Sequence, residues 1–394
     1  MTKILTLILA LSMVLLDIIA YRRLNRICTS KAFKYSFAGV ILFSYLLILL
    51  VPLFMFTLIG PDNSHSMMKF SMAILTGYLF FSVVRLMFYA FWLPTKSNRW
   101  MWTGIVVSSC LLLSFIYGAF VTRTDYEIKE VNLSFSKMPE SFDGYKIAFI
   151  SDIHIGSMWN PKAELEKLAS VMELTDADVV LFGGDLLNIH HSELTPEISA
   201  IIARIKGKQG TFAVLGNHDT GAYIKGSTKD FREDNIASLV KSASAFGWTY
   251  LRDSTIYINN GKDSIAITGI DYSDELLGYK HSFTAIKDFD VRYIYDDISS
   301  DVFNITVSHL PQLWYTLCDG CYSDLTLAGH IHAMQIKVAG ISPATFMYDE
   351  WSGLYERSEG KLYINDGIGS VGFFARIGAR PEVTLINLES SASE

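Results

Sequence analysis

Four long apolar runs within the first 121 residues constrain the fold of this chain more than any other feature. The runs are Ile4–Tyr21, Phe37–Ile59, Phe70–Leu93 and Trp102–Phe120. Each is close to or above the ~20 residues that cross the hydrocarbon core of a bilayer as a helix. Buried core helices are the alternative, but four such long helices in a soluble protein would be almost without charges. We therefore predict a transmembrane region of four helices over residues 1–122.

The first run also has the length of a signal peptide. It lacks a small-residue cleavage site, and three more runs follow it, which favours its retention as a span. Two charged residues, Asp17 and Arg85, lie within runs. Charged side chains at membrane depth are functional candidates, although both residues lie close enough to a run end to extend toward the interface. The sequence leaves both roles open.

The basic residues of the connecting loops predict how the spans are oriented. The basic residues of the first loop are Arg22, Arg23, Arg26, Lys31 and Lys34. The second loop has Lys69 at its far edge, and the third has Lys96 and Arg99. Because short cytoplasmic loops carry an excess of basic residues, the first and third loops should be cytoplasmic. With four spans, the C-terminal part is then expected outside the cytoplasm, and an error of one span would reverse this orientation.

The cysteines give little further constraint, because four of them do not imply a disulfide framework. Cys318 and Cys321 form a C-x-x-C pair. The pair could be a redox site, a local disulfide or two ordinary thiols, whereas a structural zinc site would need a second pair. An extracytoplasmic location would allow a disulfide to persist.

From about Tyr126 onward the sequence has the pattern of a soluble α/β domain. Buried strands are predicted at Lys146–Ile150, Val179–Phe182, Thr211–Leu215, Ile265–Ile270, Asn304–Val307 and Leu325–Leu327. Asn160-Pro161 and Thr195-Pro196 predict helix starts, with ends at Met172 and Gly207. Alternating strands and helices indicate a layered α/β fold. We predict a linker and first strand over residues 123–145, the domain over 146–389 and a polar tail over 390–394.

Five of these strands end directly in a polar cluster. The clusters contain Asp152 and His154, Asp185, Asn217 with His218 and Asp219, His309, and His330 with His332. Ligand sites of α/β sheets lie at the carboxyl ends of strands. Five strand ends that carry metal-ligand residue types therefore predict one metal site assembled from all of them.

The clusters, read in order as D-x-H, G-D, G-N-H-D, S-H and G-H-x-H, resemble the calcineurin-like metallophosphoesterase superfamily. The resemblance covers about Lys146 to Leu388. The segments Gly353–Tyr355, Gly367–Gly369 and Arg376–Thr384 resemble a membrane-anchored branch of that family. The family implies a four-layer αββα sandwich, in which helices flank two mixed sheets.

The resemblance also implies a ligand set for two divalent metal ions. Asp152, His154 and His332 would hold the first ion. Asn217, His309 and His330 would hold the second, and Asp185 would bridge both. Two-metal sites have a separation of about 3.5–4 Å, which a shared carboxylate enforces. Imidazole mixed with carboxylate favours Mn, Fe or Zn, without selecting among them.

The chemistry implied is hydrolysis of a phosphate ester. Two cations neutralise the phosphate oxygens and lower the pKa of a bound water, so that hydroxide is available to attack near neutral pH. His218 resembles the acid of the family and would protonate the leaving group. Asp219 would accept a hydrogen bond from His218 and orient it.

The predicted substrate contacts are His190, His191 and Arg376. The two histidines follow the Asp185 loop and are otherwise two exposed loop residues. Arg376, like Arg380, could bind phosphate with two parallel hydrogen bonds, or be an ordinary surface or sheet-edge residue. Two departures from the family pattern concern loop shape and substrate choice: Ala333–Gln335 where relatives have glycines, and Asn188 where an acid is frequent.

We therefore expect a multi-pass membrane-anchored phosphoesterase with an extracytoplasmic catalytic domain. Its substrate is expected to be a phosphodiester, a phosphorylated lipid or an envelope component. The alternatives are a UDP-2,3-diacylglucosamine-type pyrophosphatase acting on a nucleotide-linked lipid, which would need the opposite orientation, a metal-binding pseudoenzyme used as an interaction module, and a transporter with a regulatory domain. The net charge of −7 and the lack of a basic stripe argue against nucleic acid. The expected partners are the substrate and the bilayer, and nothing in the sequence indicates a protein partner.

Overall fold

A computed structural model describes residues 2–53, 64–358 and 360–391, with side chains described for 11–49, 69–358 and 360–391. The chain divides into two compact units. The first comprises residues 1–118 with Gly372–Phe374, and the second comprises residues 119–371 and 375–394.

The first unit is helical in its described residues. Its helices are α1 (Thr2–Ile27), α2 (Lys31–Leu53), α3 (Ser64–Trp92) and α4 (Asn98–Phe120). Three stretches are long and apolar enough to cross a membrane: Lys31–Leu49, Lys69–Trp92 and Asn98–Thr124. The predicted first span lies within α1, but its side chains up to residue 10 lie outside the described residues, as do residues 54–59 of the second span. Of the four predicted spans, three therefore have a matching apolar helix, and the first stays a prediction.

A small polar cluster is buried among the helices of the first unit. One carboxylate oxygen of Asp17, Oδ2, accepts hydrogen bonds from Arg85 at 3.0 Å and from the Tyr45 hydroxyl at 2.6 Å. The other, Oδ1, accepts from the Tyr89 hydroxyl at 2.8 Å. The Arg85 guanidinium also lies 4.7 Å from the centre of the Phe81 ring. The two charges that the sequence placed inside apolar runs therefore neutralise each other and join α1, α2 and α3.

The second unit alternates short strands and helices. Its strands are β1 (Glu127–Phe135), β2 (Lys146–Ile150), β3 (Val179–Phe182), β4 (Thr211–Ala213), β5 (Trp248–Tyr250), β6 (Ser254–Asn260), β7 (Asp263–Gly269), β8 (Asn304–Val307), β9 (Leu325–Ala328), β10 (Gly353–Arg357), β11 (Gly360–Ile364) and β12 (Glu382–Ser390). Its helices are α5 (Pro161–Glu173), α6 (Pro196–Ile202), α7 (Lys229–Ala245), α8 (Asp274–Leu277), α9 (Arg292–Tyr295) and α10 (Trp314–Asp319).

The strands form two mixed sheets, as predicted. The first has the order β1-β12-β2-β3-β4-β5, and the second has the order β10-β11-β9-β8-β7-β6. Strands β2 to β5 are mutually parallel, and so are β7, β8, β9 and β11. Strands β12, β6 and β10 each pair antiparallel with one neighbour. The carboxyl ends of the parallel strands in each sheet therefore lie along one edge, where the polar clusters follow them.

Alternate residues of the central strands face two different cores. Ile147 and Phe149 of β2 pack in one apolar cluster with Ile305 and Leu327 of the second sheet, so the two sheets pack face to face. Ala148 and Ile150 face the opposite side, in a cluster that includes residues of α5, α6 and α7. This alternation is what a strand buried on both faces requires.

The predicted helix starts match the structure closely. Helix α5 begins at Pro161, and the Asn160 side chain accepts a hydrogen bond from the Ala163 amide. Helix α6 begins at Pro196 but ends at Ile202, five residues before the predicted end at Gly207. The backbone of residues 203–204 continues as a turn rather than as helix.

Candidate metal centre

The fold brings the seven predicted metal ligands into one buried cluster. Each follows the carboxyl end of a parallel strand. Those after the first sheet are Asp152 and His154 after β2, Asp185 after β3 and Asn217 after β4; those after the second sheet are His309 after β8, and His330 and His332 after β9. All are buried except His330, which is half-buried.

The first group of ligands consists of Asp152, His154 and His332, whose ligand atoms all lie close together. Oδ1 of Asp152 lies 3.0 Å from Nε2 of His332 and 3.8 Å from Nε2 of His154. The two imidazole Nε2 atoms are 3.3 Å apart. The other oxygen of Asp152 accepts hydrogen bonds from the Ser151 hydroxyl and the His330 amide, which orients the carboxylate.

The second group consists of Asn217, His309 and His330. Oδ1 of Asn217 is 3.0 Å from Nε2 of His309, which is 3.2 Å from Nδ1 of His330. The Asn217 amide nitrogen donates a hydrogen bond to the Tyr223 hydroxyl at 2.9 Å. Because the nitrogen points to Tyr223, the oxygen, which is the atom that can bind a metal, points to the two histidines.

Asp185 lies between these two groups. Its Oδ2 is 3.3 Å from Nε2 of His309 and 3.6 Å from Nε2 of His154. Its Oδ1 accepts a hydrogen bond from the His218 amide at 2.8 Å, which fixes the carboxylate plane. A single oxygen close to both histidines has the position that a bridging carboxylate needs.

The residues present fit divalent cations. Two ligands that each lie about 2.0–2.2 Å from one metal ion are separated by roughly 3–3.6 Å in tetrahedral or octahedral geometry, which matches most of the separations above. Nδ1 of His309 lies 2.8 Å from the Gly183 carbonyl oxygen. A carbonyl only accepts hydrogen bonds, so Nδ1 carries a proton, and Nε2 is the ring nitrogen that faces the cluster and can bind a metal ion.

The backbone is strained where it presents these ligands. Five of the seven have a positive φ: Asp152 (58°), His154 (47°), Asp185 (60°), His330 (74°) and His332 (54°). Such conformations cost about 1–3 kcal/mol each for a residue other than glycine and persist where the surrounding structure enforces them. The strands and their hydrogen bonds therefore hold these residues in directions that a relaxed loop would not select.

The departure Ala333–Gln335 lies in the same strained segment. The φ angles of Ala333, Met334 and Gln335 are 46°, 46° and 58°. These angles belong to the left-handed region that glycine adopts without cost. This chain has larger side chains in the same backbone conformation. The Gln335 side-chain oxygen accepts a hydrogen bond from the Val371 amide, and its nitrogen donates one to the Val371 carbonyl.

Two glycines allow the chain to pass directly behind the carboxylates. A Cβ atom at Gly216 would lie 2.1 Å from an Asp185 oxygen, and one at Gly329 would lie 2.3 Å from an Asp152 oxygen. Both distances are far inside van der Waals contact. A side chain at either glycine would therefore displace a ligand.

Electrostatics within the cluster favours bound positive charge. Burial raises the pKa of the Asp185 carboxyl, but His309 and His218 outweigh burial and hold that pKa well below its usual range. Burial lowers the pKa of His309, but the Asp185 carboxylate outweighs burial and raises it to about 9. Burial holds the pKa of His154 well below its usual range. The carboxylates therefore attract a cation strongly, and the imidazoles around them are mostly available as neutral ligands.

His218 lies beside the ligands rather than among the seven. Its Nδ1 donates a hydrogen bond to the Asn188 carbonyl oxygen at 2.6 Å. Its ring lies 4.7 Å from the His154 ring and stacks on Tyr223 at 4.2 Å. Burial lowers the pKa of His218. With Nδ1 held by Asn188, Nε2 is the atom that can reach a substrate.

The predicted role of Asp219 is wrong. Its carboxylate does not orient His218 but accepts three backbone hydrogen bonds, from the amides of Asp185, Leu187 and Gly216, at 2.8–2.9 Å. Burial and the Asp185 carboxylate raise the pKa of Asp219 to about 8. The residue that orients His218 is Asn188, through its backbone. Asp219 instead ties the Asp185 loop to the Asn217 loop, because the turn at Gly216 directs its carboxylate back into these amides.

Arg376 is also misassigned by the sequence, because its guanidinium is fully buried. It donates hydrogen bonds to the carbonyls of Asp366 and Gly369 at 2.6–3.0 Å. The amides of Ile368 and Gly369 in turn bind the carbonyls of Ser151 and Asp152. Arg376 therefore holds the turn that supports Asp152 and has no route to substrate.

Arg380 is half-exposed and pairs with Asp125 at 3.0 Å and Glu127 at 3.4 Å. Both acids lie at the start of the domain, and Glu127 belongs to the edge strand β1. Arg380 therefore has the sheet-edge position that the sequence left open.

His190 and His191 lie on the loop after Asp185 and are half-buried. The ring of His190 stacks near Phe231 at 5.6 Å, and the amide of His191 donates to the Asn235 side chain at 2.8 Å. Both contacts are to α7. Neither histidine belongs to the groups of ligand atoms that lie together, so their contact with substrate stays a prediction.

Sequence reasoning missed Glu193, which is buried in the same region. Its carboxylate accepts hydrogen bonds from four backbone amides: those of Gly156 (2.8 Å), Asn188 (2.7 Å), Ile189 (2.7 Å) and His190 (3.2 Å). It thereby ties the loop after His154 to the loop whose Asn188 carbonyl orients His218. Three of these amides lie three to five residues before Glu193, which is the third residue of a capping box at His190. Only the distant contact with Gly156 leaves no local pattern in the sequence.

Cys318 and Cys321 form no disulfide in the structure. Cys318 is half-buried and Cys321 is exposed. Of the three possibilities that the sequence left open, which were a redox site, a disulfide and two ordinary thiols, the structure has two free thiols. Burial raises the pKa of Cys318 to about 11. A thiol with a raised pKa is a weak nucleophile, which does not favour a redox site.

Comparisons with known proteins give one family. Residues 145–334 match the model described as calcineurin-like phosphoesterase. A Bacillus subtilis protein named uncharacterized metallophosphoesterase YkuE is 25% identical over 70% of this chain and 90% of its own length. An Aquifex aeolicus metallophosphoesterase is 23% identical over 72% of this chain and all of its own length. A Danio rerio protein named transmembrane protein with metallophosphoesterase domain is 26% identical over 70% of this chain and 60% of its own length.

Proposed function

We propose that this chain cleaves a phosphate ester with two divalent cations held by the seven clustered ligands. Residues 145–334 form a calcineurin-like phosphoesterase domain, which makes the chain a phosphoric ester hydrolase. The family match bears out the predicted family and class of enzyme. The observation that carries the proposal is the position of Asp185 Oδ2, within 3.6 Å of histidines from both ligand groups. Three apolar helices and relatives named as transmembrane proteins indicate membrane association.

The chain's own residues prepare the site for this reaction. Bound cations would neutralise the phosphate oxygens and activate water. Asp152 and Asp185 supply the negative charge that holds the cations, and the buried imidazoles complete their coordination. The surrounding backbone hydrogen bonds fix these ligands before substrate arrives, so little reorganisation is needed during the reaction.

His218 is proposed to assist the leaving group. Its Nδ1 is engaged by the Asn188 carbonyl, so Nε2 can donate a proton or a hydrogen bond to the departing oxygen. Its stacking on Tyr223 and its position beside His154 keep the imidazole at the edge of the metal cluster. The same Tyr223 hydroxyl orients Asn217, so one tyrosine supports both a ligand and the acid.

The proposed substrate is a lipid-linked phosphate ester. The segment 334–347, here called the apolar loop, directly follows the ligand His332. Its residues Val338, Ile341 and Phe346 are 58%, 59% and 82% exposed. The loop is not a disordered tail, because Val338 and Ile341 pair through two backbone hydrogen bonds of 2.9 and 3.0 Å. Large apolar side chains held in solvent indicate contact with an apolar partner, and acyl chains of a membrane-embedded substrate supply one.

A metal-reconstitution assay tests the hydrolase. The full-length protein in detergent is stripped with a chelator, reloaded with Mn²⁺ or Zn²⁺, and assayed with p-nitrophenyl phosphate and bis-p-nitrophenyl phosphate. Hydrolysis should vanish on stripping, return with metal, and favour the diester. No hydrolysis with any divalent metal would overturn the proposal, and preference for the monoester would correct the proposed diester.

A second assay tests the lipid substrate. The rates on a short-chain, water-soluble phosphodiester lipid and on its long-chain form in vesicles are compared for the variant V338S/I341S/F346S. Loss of three apolar contacts should lower the long-chain rate about tenfold more than the short-chain rate. The matched control is Leu174→Ser, which removes a 76% exposed leucine at the end of α5. Equal losses on both lipids would show that the apolar loop does not contact acyl chains.

The catalytic domain is proposed to be extracytoplasmic, as the loop charges predict. Protease added to intact cells should cleave the domain, whereas a cytoplasmic domain would be cut only after lysis.

A further inference from the structure

A cavity of about 590 Å³ lies at one end of the helical unit. It is formed by the end of α1, the end of α3 and the start of α4. Four basic residues line it: Arg22, Arg23, Arg26 and Lys96. The three arginines lie in the last turns of α1, and Lys96 lies between α3 and α4. The fold therefore gathers the positive charge of two predicted loop regions, which are far apart in sequence, around one space.

The positive charge of this cavity has no acidic counterpart. Among the described side chains, none of the four basic residues forms a salt bridge with an acid. The sequence offers none nearby either, since residues 18–61 and 63–124 contain no Asp or Glu. Uncompensated like charges repel and attract an anion. Within the same helical unit, Asp17 neutralises Arg85. The four basic residues of the cavity differ from Arg85 because no described acidic side chain neutralises them.

Arg23 shows that the cavity has a defined shape. Its guanidinium donates hydrogen bonds to the carbonyl oxygens of Leu93, at 2.8 Å, and of Thr95. It also lies 5.1 Å from the centre of the Trp92 ring. Arg23 thus holds the turn between α3 and α4 against the end of α1. Arg22, Arg26 and Lys96 remain exposed at the rim, with charged groups available to a ligand.

The remaining wall of the cavity is apolar. Ile19, Trp92 and Met101 contribute to it, and Trp92 is almost fully buried. A tryptophan beside basic residues at the end of an apolar helix is typical of the level of lipid headgroups. A ligand that satisfies both walls must carry an anion at one end and an apolar body at the other.

We propose that this cavity binds one anionic glycerophospholipid, with the phosphodiester of the headgroup at Arg22, Arg26 and Lys96. Its acyl chains lie along the apolar wall toward Ile19. Basic pockets between membrane helices bind such headgroups through charge and hydrogen bonds together. The proposal does not rest on the hydrolase, because no residue of the second unit takes part.

Native mass spectrometry of the full-length protein in detergent tests the proposal. Phosphatidylglycerol and phosphatidylcholine are titrated separately, and inorganic phosphate serves as the soluble-anion arm. The protein should bind one phosphatidylglycerol at least about tenfold more tightly than phosphatidylcholine, since each basic residue near a headgroup contributes roughly a factor of five. The same preference is expected in the Asp185→Asn protein, which excludes retention of the lipid as a substrate at the metal site.

Two matched triple variants separate the cavity from general surface charge. The variant R22Q/R26Q/K96Q removes three charges from the cavity and should abolish the preference. The control K31Q/K34Q/R99Q removes three charges from the same loops, at positions that do not line the cavity, and should retain it. The variant R22K/R26K keeps the charge and should keep most of the preference, which guards against a folding defect in the first variant.

Three results would overturn the proposal. The first is equal binding of the two lipids by the unaltered protein. The second is an equal loss of preference in both triple variants, which would indicate diffuse attraction rather than a site. The third is full competition by millimolar inorganic phosphate, which would make a soluble anion the ligand.

Discussion

Two buried polar clusters among the described residues differ in whether their groups satisfy one another. In the helical unit, both oxygens of Asp17 accept hydrogen bonds from Arg85, Tyr45 and Tyr89, at 2.6–3.0 Å. Positive charge meets negative charge, and hydroxyl donors meet carboxylate acceptors. We call this cluster closed because its two charges are paired and both carboxylate oxygens accept hydrogen bonds, although Nε of Arg85 has no hydrogen-bond partner.

The metal centre has the opposite character. Nε2 atoms of His154 and His332 face each other at 3.3 Å, and Asn217 Oδ1, His309 Nε2 and Asp185 Oδ2 converge in the same way. Atoms that can bind a metal ion, from strand ends of both sheets, point at a common space. Cations bound there would balance the two carboxylates and the converging imidazoles. A buried polar cluster therefore indicates a ligand when its members converge without satisfying each other, and burial or charge alone does not.

The largest expected effect comes from removing the group shared by both halves of the metal centre. Asp185→Asn retains the size of the side chain but removes the charge that bridges the two groups. We expect kcat/KM on a phosphodiester to fall at least about 10⁴-fold, because two-metal stabilisation supplies several kcal/mol. Metal content, measured by inductively coupled plasma mass spectrometry, should fall below two ions per chain. The matched control Asp176→Asn alters an exposed carboxylate; if both variants bound two ions and hydrolysed normally, the cluster would not be a metal centre.

His218 distinguishes catalysis from metal binding within the open cluster. In His218→Gln, we expect kcat to fall about 10³-fold on an alkyl phosphodiester, within the range of general acid catalysis. The loss should be much smaller on a p-nitrophenyl phosphodiester, because its leaving group, p-nitrophenolate, departs without protonation. Metal content should stay at the wild-type value. The exposed His281 supplies the control His281→Gln, and an equal loss for both leaving groups would assign His218 to orientation of substrate instead.

The closed cluster should respond in stability rather than activity. Asp17→Asn leaves Arg85 buried without a counter-charge, which costs about 3–5 kcal/mol in comparable buried pairs. We expect roughly 3 kcal/mol, because the amide oxygen still accepts a hydrogen bond from one tyrosine, and the other tyrosine hydroxyl can accept one from the amide nitrogen. The midpoint of thermal unfolding in detergent measures the loss, and the double variant Asp17→Asn/Arg85→Met should recover part of it. If unfolding were unchanged while hydrolysis of a soluble diester was lost, the cluster would not be closed but coupled to function.

The difference between the clusters also shows what the sequence could predict. The seven ligands were predictable because each directly follows a buried strand, and the strand pattern determines where those ends meet. The hydrogen-bond partners of Asp219 and Arg376 were not predictable, since both side chains bind backbone atoms, at separations from 3 to 34 residues. Hydrogen bonds to backbone leave no residue pattern, so a carboxylate next to His218 suggested a pairing that the turn at Gly216 prevents. In the helical unit, the three long apolar helices could be predicted from composition. The pairing of Asp17 with Arg85 could not, because it depends on how the helices pack.

Glu193 tests whether the backbone support of the open cluster matters for the reaction. One carboxylate oxygen of Glu193 accepts from Gly156 and Asn188, and the other accepts from Ile189 and His190. In Glu193→Gln, one of the two oxygens becomes an amide nitrogen, so one of these pairs of hydrogen bonds is lost. Hydrogen bonds to charged groups contribute about 1.5–3 kcal/mol, but only the displacement of the Asn188 carbonyl reaches His218. We therefore expect kcat to fall about tenfold on an alkyl phosphodiester with KM little changed, and Glu193→Asp to restore part of the rate. Glu197→Gln, at an exposed carboxylate four residues away, is the control. A loss of metal rather than of kcat would place the effect of Glu193 on the His154 loop, and no effect on either would show that the strands alone hold the cluster in position.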